Sequence, residues 1–434
     1  MRPHIVIRLR PDAVPHGRVP YWENAIGDRS VGDISLGESL SRTFAEHDVD
    51  VLVTREYPSS DGGWSAAEKA AALDRIFRLV LHRSNAIPKG LLRDIRLLPE
   101  VEEARPGEVV ATELPQARAM SRPGQSRSHE RISLDRAHQL TRGDPDLIVA
   151  VLDTGVDIGH PEFGGRFVAP KDFVDILSGA EEFFGDVLGI DDDPADDVGH
   201  GTHVAGIIGA RGNGMDRGAA PACKIMPVRV LAAMEQGDHR VGAGLVDNIN
   251  AGVKYAVDNG ARVINMSLGV RHSGGGLPHR EVVEYAHAKG ATIVAAAGND
   301  GREELYYPSA LPGVIAVGAA GQRERAAGFS TFGRHVTLVA PGEDIYSTLP
   351  DGRYGMASGT SHAAPFVAAV AALVQSLASR AGGFFTPQKV HSILAHTADR
   401  FGRANRDRRA GYGMLNAADA LRLAQLEIGE GTLR

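Results

Sequence analysis

The sequence contains a single cysteine, Cys223, among its 434 residues. One cysteine excludes an intramolecular disulfide, and its apolar neighbours in ACKIMPVRVL favour a buried structural role over a reactive thiol. An excess of positive charge is also missing, because 54 Asp and Glu residues outnumber 47 Lys and Arg residues and give a formal net charge of −7. That balance argues against nucleic acid as a partner.

Long hydrophobic runs are missing as well. FVAAVAALV (366–374) is one of the longest purely apolar stretches, and it is too short to span a bilayer, so we expect no membrane partner. The N-terminal stretch MRPHIVIRLR has an apolar core that is interrupted by Arg8 and Arg10. No secretory signal is therefore visible, which with the lone cysteine favours the cytoplasm and leaves secretion open.

From about residue 147 onward, apolar strand-like runs alternate with amphipathic helical stretches. Examples are LIVAVLDTG, KIMPVRVL, RVINMSLG, ATIVAAAGN and GVIAVGAA. Nearly continuous apolar strands separated by helices are typical of a parallel sheet that is covered on both faces. We therefore predict an α/β fold with a three-layer, doubly wound, mostly parallel sheet, whose functional groups gather at the carboxyl ends of the strands.

The chain divides into three parts. We expect a small α/β N-terminal domain at 1–115, an exposed linker with a processing site at 116–135, and the main domain at 136–428. The linker is poor in apolar residues and rich in arginine, which is typical of an exposed, protease-sensitive segment. Within the N-terminal domain, helical patterns fall at about 34–47, 66–83 and 89–97.

Polar residues interrupt this pattern at element boundaries. Asp153 lies in AVLDTGVD, His200 and His203 begin a helix in GHGTHVAGIIG, and Ser361 precedes an Ala/Val-rich helix in SGTSHAAP. A serine needs a base to become a nucleophile, and a carboxylate orients that base. Structural roles, such as a turn for the aspartate or a helix cap for the serine, are the alternatives. The two histidines do not suggest a metal pair, because no HExxH pattern or nearby cysteine accompanies them.

Asn299 adds a fourth element. It follows Gly298 at the end of the apolar strand in IVAAAGND. A turn role is the simpler interpretation. The functional one is a side-chain N–H₂ donor for a developing oxyanion, beside the backbone N–H of Ser361.

Taken in order, DTGVD, HGTHVAG, VINMSLG, AAAGND and GTSHAAP resemble the subtilisin-like serine proteases, the subtilases. The resemblance covers about 145–425. It implies that Asp153 orients His200, that His200 is the general base for Ser361, and that Asn299 stabilises the oxyanion; His203 becomes structural. It also implies a substrate cleft with Ser267, Leu268 and Gly269 along one side and Gly242, Ala243 and Gly244 along the opposing edge. Gly298 is a further substrate-binding residue that it implies.

The resemblance also implies a function for the N-terminal domain. LLRDIRLLPEVEEARPGEVV (91–110) resembles the end of an inhibitory prodomain, whose tail occupies the cleft until it is cut. An accessory domain that recognises a partner is the alternative. The main departure is an acidic insertion at 178–199, which includes Glu181 and Glu182. Clustered carboxylates can bind Ca²⁺, but a solvated loop is commoner, and the segment 209–221 is shortened where some subtilases form a calcium loop.

We therefore predict a serine endopeptidase that hydrolyses peptide bonds through an acyl-enzyme and is made as a self-inhibited zymogen, cut within about 112–130. The chemistry needs no cofactor, and calcium would be purely structural. The expected partners are a polypeptide substrate and the chain's own N-terminal domain as an intramolecular inhibitor. Rival readings are an esterase or acyltransferase that uses the same triad, and a binding protein on the same scaffold. Tyr306 and Tyr307 lie near the expected specificity pocket, and an aromatic side chain there would restrict its depth.

Overall fold

A computed structural model describes residues 3–433 apart from 16, 26–33, 82–83, 113–116, 120–126, 176–182, 187–188, 237–238, 272–276 and 323–324. Its strands are β1 (His4–Leu9), β2 (Val51–Arg55), β3 (Ile76–Leu81), β4 (Val101–Pro106), β5 (Val109–Thr112), β6 (Arg118–Ala119), β7 (Ile148–Asp153), β8 (Lys171–Asp172), β9 (Phe183–Phe184), β10 (Lys224–Arg229), β11 (Ala232–Gln236), β12 (His239–Leu245), β13 (Ala261–Met266), β14 (Val270–Arg271), β15 (Thr292–Ala296), β16 (Tyr306–Tyr307), β17 (Ile315–Ala320), β18 (Leu338–Pro341), β19 (Ile345–Leu349) and β20 (Arg353–Ala357). Its α-helices are α1 (Trp22–Ala25), α2 (Glu38–Glu46), α3 (Ala66–Ala70), α4 (Leu91–Arg96), α5 (Ser128–Arg131), α6 (Leu134–Ala137), α7 (His200–Gly209), α8 (Val246–Asp258), α9 (Arg280–Ala288), α10 (Thr360–Arg380), α11 (Pro387–Thr397) and α12 (Ala417–Gly429).

The centre of the main domain is a seven-stranded sheet in the order β18-β17-β15-β13-β7-β10-β8. Every neighbouring pair in this sheet is parallel. Its strands are apolar because both faces are covered, so alternate side chains enter different cores. Val149 and Val151 of β7 pack with α7, α10 and α12, whereas Ala150 and Leu152 pack with α8 and α9. This is the predicted three-layer architecture.

Helix α10 runs through the first of these cores. Its Ala/Val-rich sequence gives it the length and hydropathy of a membrane span, but 94% of its most apolar window is buried inside the protein. Pro365 lies in its first turns, where few intrahelical N–H bonds are lost. Helix α10 packs on α7, β15 and β17, and this contact places the start of α10 beside the ends of the parallel strands.

The N-terminal segment forms a separate four-stranded antiparallel sheet, in the order β2-β3-β1-β4. The predicted helix over 66–83 is wrong in its second half, because Ile76–Leu81 is the central strand β3 and all six side chains are buried. A short apolar run cannot be assigned to a helix or a strand from periodicity alone. Pairing on both edges with β1 and β2 decides its conformation.

Candidate active site

Three side chains of complementary chemistry stand where central elements of the main domain begin or end. Asp153 is the last residue of β7, His200 is the first residue of α7, and Ser361 is the second residue of α10. All three are buried. β7 lies inside the parallel sheet, so its carboxyl end opens into the region where ligands bind in such sheets.

Asp153 and His200 form a short buried hydrogen bond, with 2.6 Å between Asp153 Oδ1 and His200 Nδ1. Asp153 Oδ1 also accepts the backbone N–H of Thr154 at 2.8 Å. Because Nδ1 faces a carboxylate, we assign the ring proton to Nδ1 and the lone pair to Nε2. Among the described residues His200 Nε2 has no hydrogen-bond partner. The ring therefore offers one oriented basic nitrogen.

Ser361 makes a reciprocal contact with Ser267, which follows β13. Ser361 Oγ donates to the Ser267 carbonyl at 3.1 Å, and Ser267 Oγ donates to the Ser361 carbonyl at 2.8 Å. These two bonds join the predicted cleft edge to the start of α10. The Ser361 hydroxyl must leave the Ser267 carbonyl before its proton can pass to a base.

Asn299 is attached to the same helix start through its side-chain oxygen. Asn299 Oδ1 accepts the backbone N–H of Thr360 at 2.8 Å and the Thr360 hydroxyl at 3.1 Å. The Thr360 hydroxyl in turn accepts the N–H of Gly298 at 3.2 Å. The two bonds to its oxygen orient the Asn299 side chain at the start of α10, next to Ser361. Thr360 is a positioning residue that the sequence analysis did not identify.

Asp196 is a second positioning residue that the sequence motifs did not predict. It lies in the acidic insertion, yet its carboxylate is half-buried and accepts the hydroxyls of Thr154 and Thr202 at 2.8 Å and 2.6 Å. It also accepts backbone N–H groups at the start of α7, including that of Gly199 at 2.7 Å. Burial raises the pKa of Asp196. These bonds fix the end of β7 against α7, and so fix the Asp153–His200 pair. The position of Asp196 four residues before HGTH is the only sequence signal for this role.

Two further histidines lie next to His200. His203 bonds the Gly355 carbonyl through Nε2 at 3.1 Å, and burial lowers its pKa to about 3. The ring of His362 lies 5.3 Å from the His200 ring and 4.5 Å from the His203 ring, centroid to centroid. Burial also lowers the pKa of His362 well below its usual value. Neither of these neutral rings contacts Asp153, so only His200 is paired with the carboxylate.

The predicted cleft edges are strands and strand ends. Gly242, Ala243 and Gly244 belong to β12. The edge of β12 is occupied by β5 from the N-terminal segment, with Thr112 opposite Gly242 and Leu245 opposite Val109. Ser267, Leu268 and Gly269 connect β13 to β14. A few residues after β5, β6 pairs with β20, which ends four residues before Ser361. The described segments β5 and β6 therefore pair with β12 and β20 of the main domain.

Carboxylates near the site are bonded to protein groups. Glu162 accepts backbone N–H groups of Gly212, Asn213 and Gly214 at 2.7, 3.0 and 2.5 Å, so the shortened loop at 209–221 is organised around a side chain. Glu181 and Glu182 of the insertion lie outside the described residues. Within the described part of the chain, no group of three or more His, Cys, Asp or Glu side chains is arranged to hold a metal ion.

A serine at the start of a core helix and an oriented histidine–aspartate pair, on a doubly wound parallel sheet, define the class of serine hydrolases. The sequence model of the Subtilase family matches residues 144–413, so the chain belongs to the subtilase family and is a subtilisin-type serine endopeptidase. The predicted family and fold class are thereby confirmed.

Relatives and a solved structure agree with this assignment. A "Thermophilic serine proteinase" of Bacillus sp. (strain AK1) is 42% identical over 244 residues, 56% of this chain and 55% of that protein, so the match spans about half its length. "Thermitase" of Thermoactinomyces vulgaris is 37% identical over 273 residues, 62% of this chain and 87% of that protein. A solved protease structure from Pseudoalteromonas arctica covers 70% of this chain and all of that chain, at 29% identity and a TM-score of 0.59.

Proposed function

We propose that the chain hydrolyses peptide bonds through an acyl-enzyme, with Ser361 as nucleophile, His200 as general base and Asp153 as the group that orients His200. The 2.6 Å Asp153–His200 bond, with Nε2 of His200 left free, is the observation that carries this proposal. Asn299 and the backbone N–H of Ser361 donate to the oxyanion.

The proposed reaction moves one proton in each half. Ser361 Oγ leaves the Ser267 carbonyl, transfers its proton to His200 Nε2 and bonds the scissile carbonyl carbon. The carbonyl π electrons move onto oxygen, where the N–H₂ of Asn299 stabilises the charge. Collapse breaks the C–N bond and His200 gives its proton to the leaving amine. Water then repeats the sequence on the ester and releases Ser361.

We further propose that residues 1–115 act as an intramolecular inhibitor. The support is that β5 extends the β12 edge, which is the mode by which an extended peptide adds to a sheet. Buried ion pairs connect the same segment to α8. Asp247 pairs with Arg105 at 2.5 Å and with His4 at 3.0 Å, and Lys254 pairs with Glu68 at 2.9 Å. This placement favours an inhibitor over an accessory domain that leaves the cleft free.

The same pairing narrows the proposed processing site. β5 ends at Thr112 on one side of the site, and β6 begins at Arg118 on the other. We therefore place the cut between Thr112 and Arg118, inside the range of about 112–130 that the linker composition gives.

Intact-mass measurement tests both proposals. Wild-type protein should lose between 112 and 117 N-terminal residues, and Ser361→Ala should stay whole. Ser376→Ala is the matched control, because Ser376 lies on the same helix but donates to the Ala372 carbonyl, inside the helix; it should process like wild type. Processing by Ser361→Ala would exclude Ser361 as the nucleophile. Full-length wild type that still degrades casein would exclude the zymogen. Ester hydrolysis without casein hydrolysis would favour the esterase alternative.

A further inference from the structure

We infer that Tyr306 closes the pocket for the substrate side chain next to the scissile bond, and that it limits the enzyme to small residues there. This inference rests on the proposed function, because it concerns the substrate of the same site. It is carried by the position of one aromatic ring between the two segments that flank the nucleophile.

The backbone brings Tyr306 to the cleft edge. β14 and β16 pair antiparallel, with Arg271 opposite Tyr306 and Val270 opposite Tyr307. Gly269, the last residue of the cleft edge, immediately precedes β14. A β-carbon added to Gly269 would lie 3.1 Å from Cβ of Tyr306. Tyr306 is therefore packed directly against this edge.

The ring of Tyr306 reaches across to the loop that carries Asn299. A β-carbon added to Gly298 would lie 2.6 Å from Cδ2 and 2.7 Å from Cε2 of Tyr306. Because a real β-carbon needs more room, the ring already fills the space above Gly298. The gap between Gly269 and Gly298 therefore holds a tyrosine side chain.

Substrate geometry directs a side chain into that gap. The attacked carbonyl lies between Ser361 and the Asn299 amide, and the Cα of the same residue is one bond from the carbonyl carbon. The backbone that precedes this Cα pairs with the edge at 267–269. Its side chain then leaves between this edge and the Gly298–Asn299 loop. In this chain the substrate side chain would contact the ring of Tyr306, which limits the depth of the pocket.

The hydroxyl of Tyr306 is fixed at the far end. It donates to Asp300 Oδ2 at 2.8 Å and accepts from Arg271 Nε at 3.0 Å. Arg271 and Asp300 also form an ion pair with each other, with 2.7 Å between Arg271 Nη2 and Asp300 Oδ2. Burial and the bond to Asp300 raise the pKa of Tyr306, so it remains a phenol. The packing of the ring against Gly269 and Gly298, rather than these bonds, is what excludes a large substrate residue.

The test uses the peptide p-nitroanilides succinyl-Ala-Ala-Pro-Xaa, with Xaa as Ala, Leu or Phe. Active sites of each full-chain preparation are counted with a fluorophosphonate. Wild type should prefer Ala to Phe by at least about 10-fold in kcat/KM, since small differences in side-chain size already change pocket discrimination by that much. Tyr306→Gly should raise kcat/KM for Phe by at least about 10-fold and change that for Ala by less than about 3-fold.

Tyr306→Phe is the matched control, because it keeps the ring and loses the bonds to Asp300 and Arg271; it should keep the preference for Ala. If wild type cleaves Phe as fast as Ala, or if Tyr306→Gly leaves their ratio unchanged, the inference is overturned while fluorophosphonate labelling of Ser361 still supports the nucleophile. If neither hydrolysis nor labelling occurs, the proposed function fails and the inference fails with it. Mapping wild-type cuts in denatured casein needs no variant, and large residues before the cuts would overturn the inference independently.

Discussion

The three histidines around Ser361 differ in what surrounds their ring nitrogens. His200 has a carboxylate on Nδ1, His203 has a backbone carbonyl on Nε2, and both nitrogens of His362 lack partners among the described residues. Burial without a charged partner favours the neutral ring. His203 and His362 therefore stay neutral at pH values where an ordinary histidine is protonated, and this has a consequence for stability.

Acid should destabilise the folded protein through these two residues. The unfolded chain protonates them below about pH 6.5, but the folded chain does not protonate His203 until about pH 3. A lowered histidine pKa means that the unfolded state binds more protons than the folded state. The free energy of unfolding therefore decreases as the pH is lowered through this window, by about 1.4 kcal/mol per pH unit for each histidine. Urea unfolding at pH 7 and pH 5 in a Ser361→Ala background measures the slope. His362→Met should lower the slope by about one proton, and the exposed His396→Asn should not. An unchanged slope in His362→Met would contradict the argument.

The proposed role of Asn299 as an oxyanion donor is separable from its observed bond to Thr360. Asn299→Asp keeps an acceptor for Thr360 and loses the donor, whereas Asn299→Ala loses both. Both variants should lower kcat by about 10²–10³-fold with little change in KM, a magnitude taken from measurements on subtilisin. Only Asn299→Ala should also lower the melting temperature, because it leaves the Thr360 N–H without its acceptor. Steady-state kinetics and thermal unfolding separate the two effects, and a change confined to KM would argue against the oxyanion role.

At the scale of elements, the sequence predicts what local patterns determine. The strands of the parallel sheet follow from apolar runs, and Asp153, His200, Ser361 and Asn299 follow from motifs at their ends. The role of Asp196 could not be predicted, because its hydrogen bonds depend on how a long insertion folds back onto α7. Strand β3 was assigned to a helix for a related reason, since its conformation depends on partners far away in the chain. Local sequence patterns therefore do not predict contacts between segments that are distant in the chain.

The loop at 209–221 illustrates how one carboxylate can organise an element. Glu162 is fully buried and accepts three loop N–H groups together with the Tyr354 hydroxyl at 3.0 Å. Burial raises its pKa, but the bonds from Gly214 and its neighbours outweigh this, so the pKa lies below the ordinary value.

Removing this carboxylate should loosen the loop. Glu162→Ala should lower the free energy of unfolding by about 2–4 kcal/mol, because several N–H groups lose their acceptor. The exposed Glu46→Ala should change it by less than about 0.5 kcal/mol. Since the folded pKa is lowered, the contribution of Glu162 is present above about pH 4.5 and is lost as the pH falls through the folded value. Urea unfolding at pH 7 measures the difference, and a loss no larger than that of Glu46→Ala would refute the role.

At the scale of the whole molecule, the N-terminal sheet and the main domain share one continuous apolar cluster. Val6 and Ile76 of the N-terminal sheet pack with Ile249 of α8 and Val282 of α9. Ion pairs are buried within this contact, and two of them meet at Asp247. Burial raises the pKa of Asp247, but Arg105 and His4 outweigh this and hold it below its usual value. A charge that depends on partners from the other domain makes the interface sensitive to a single substitution.

If residues 1–115 act as the inhibitor proposed above, Arg105→Ala should therefore shorten the time for which they inhibit the enzyme. The variant leaves Asp247 buried with His4 as its remaining ion-pair partner in the described structure, and breaking a buried pair in this way typically costs about 3–5 kcal/mol. In a time course of casein hydrolysis, normalised to the active sites that a fluorophosphonate labels, Arg105→Ala should show a shorter lag than wild type. Arg93→Ala is the control, because Arg93 lies in the same domain with 76% of its side chain exposed, and its ion-pair partner among the described residues is its neighbour Asp94. If the lag of Arg105→Ala equals that of wild type and Arg93→Ala, the ion pairs at Asp247 do not hold the inhibitory domain in place, and the apolar cluster and β5 must do so alone.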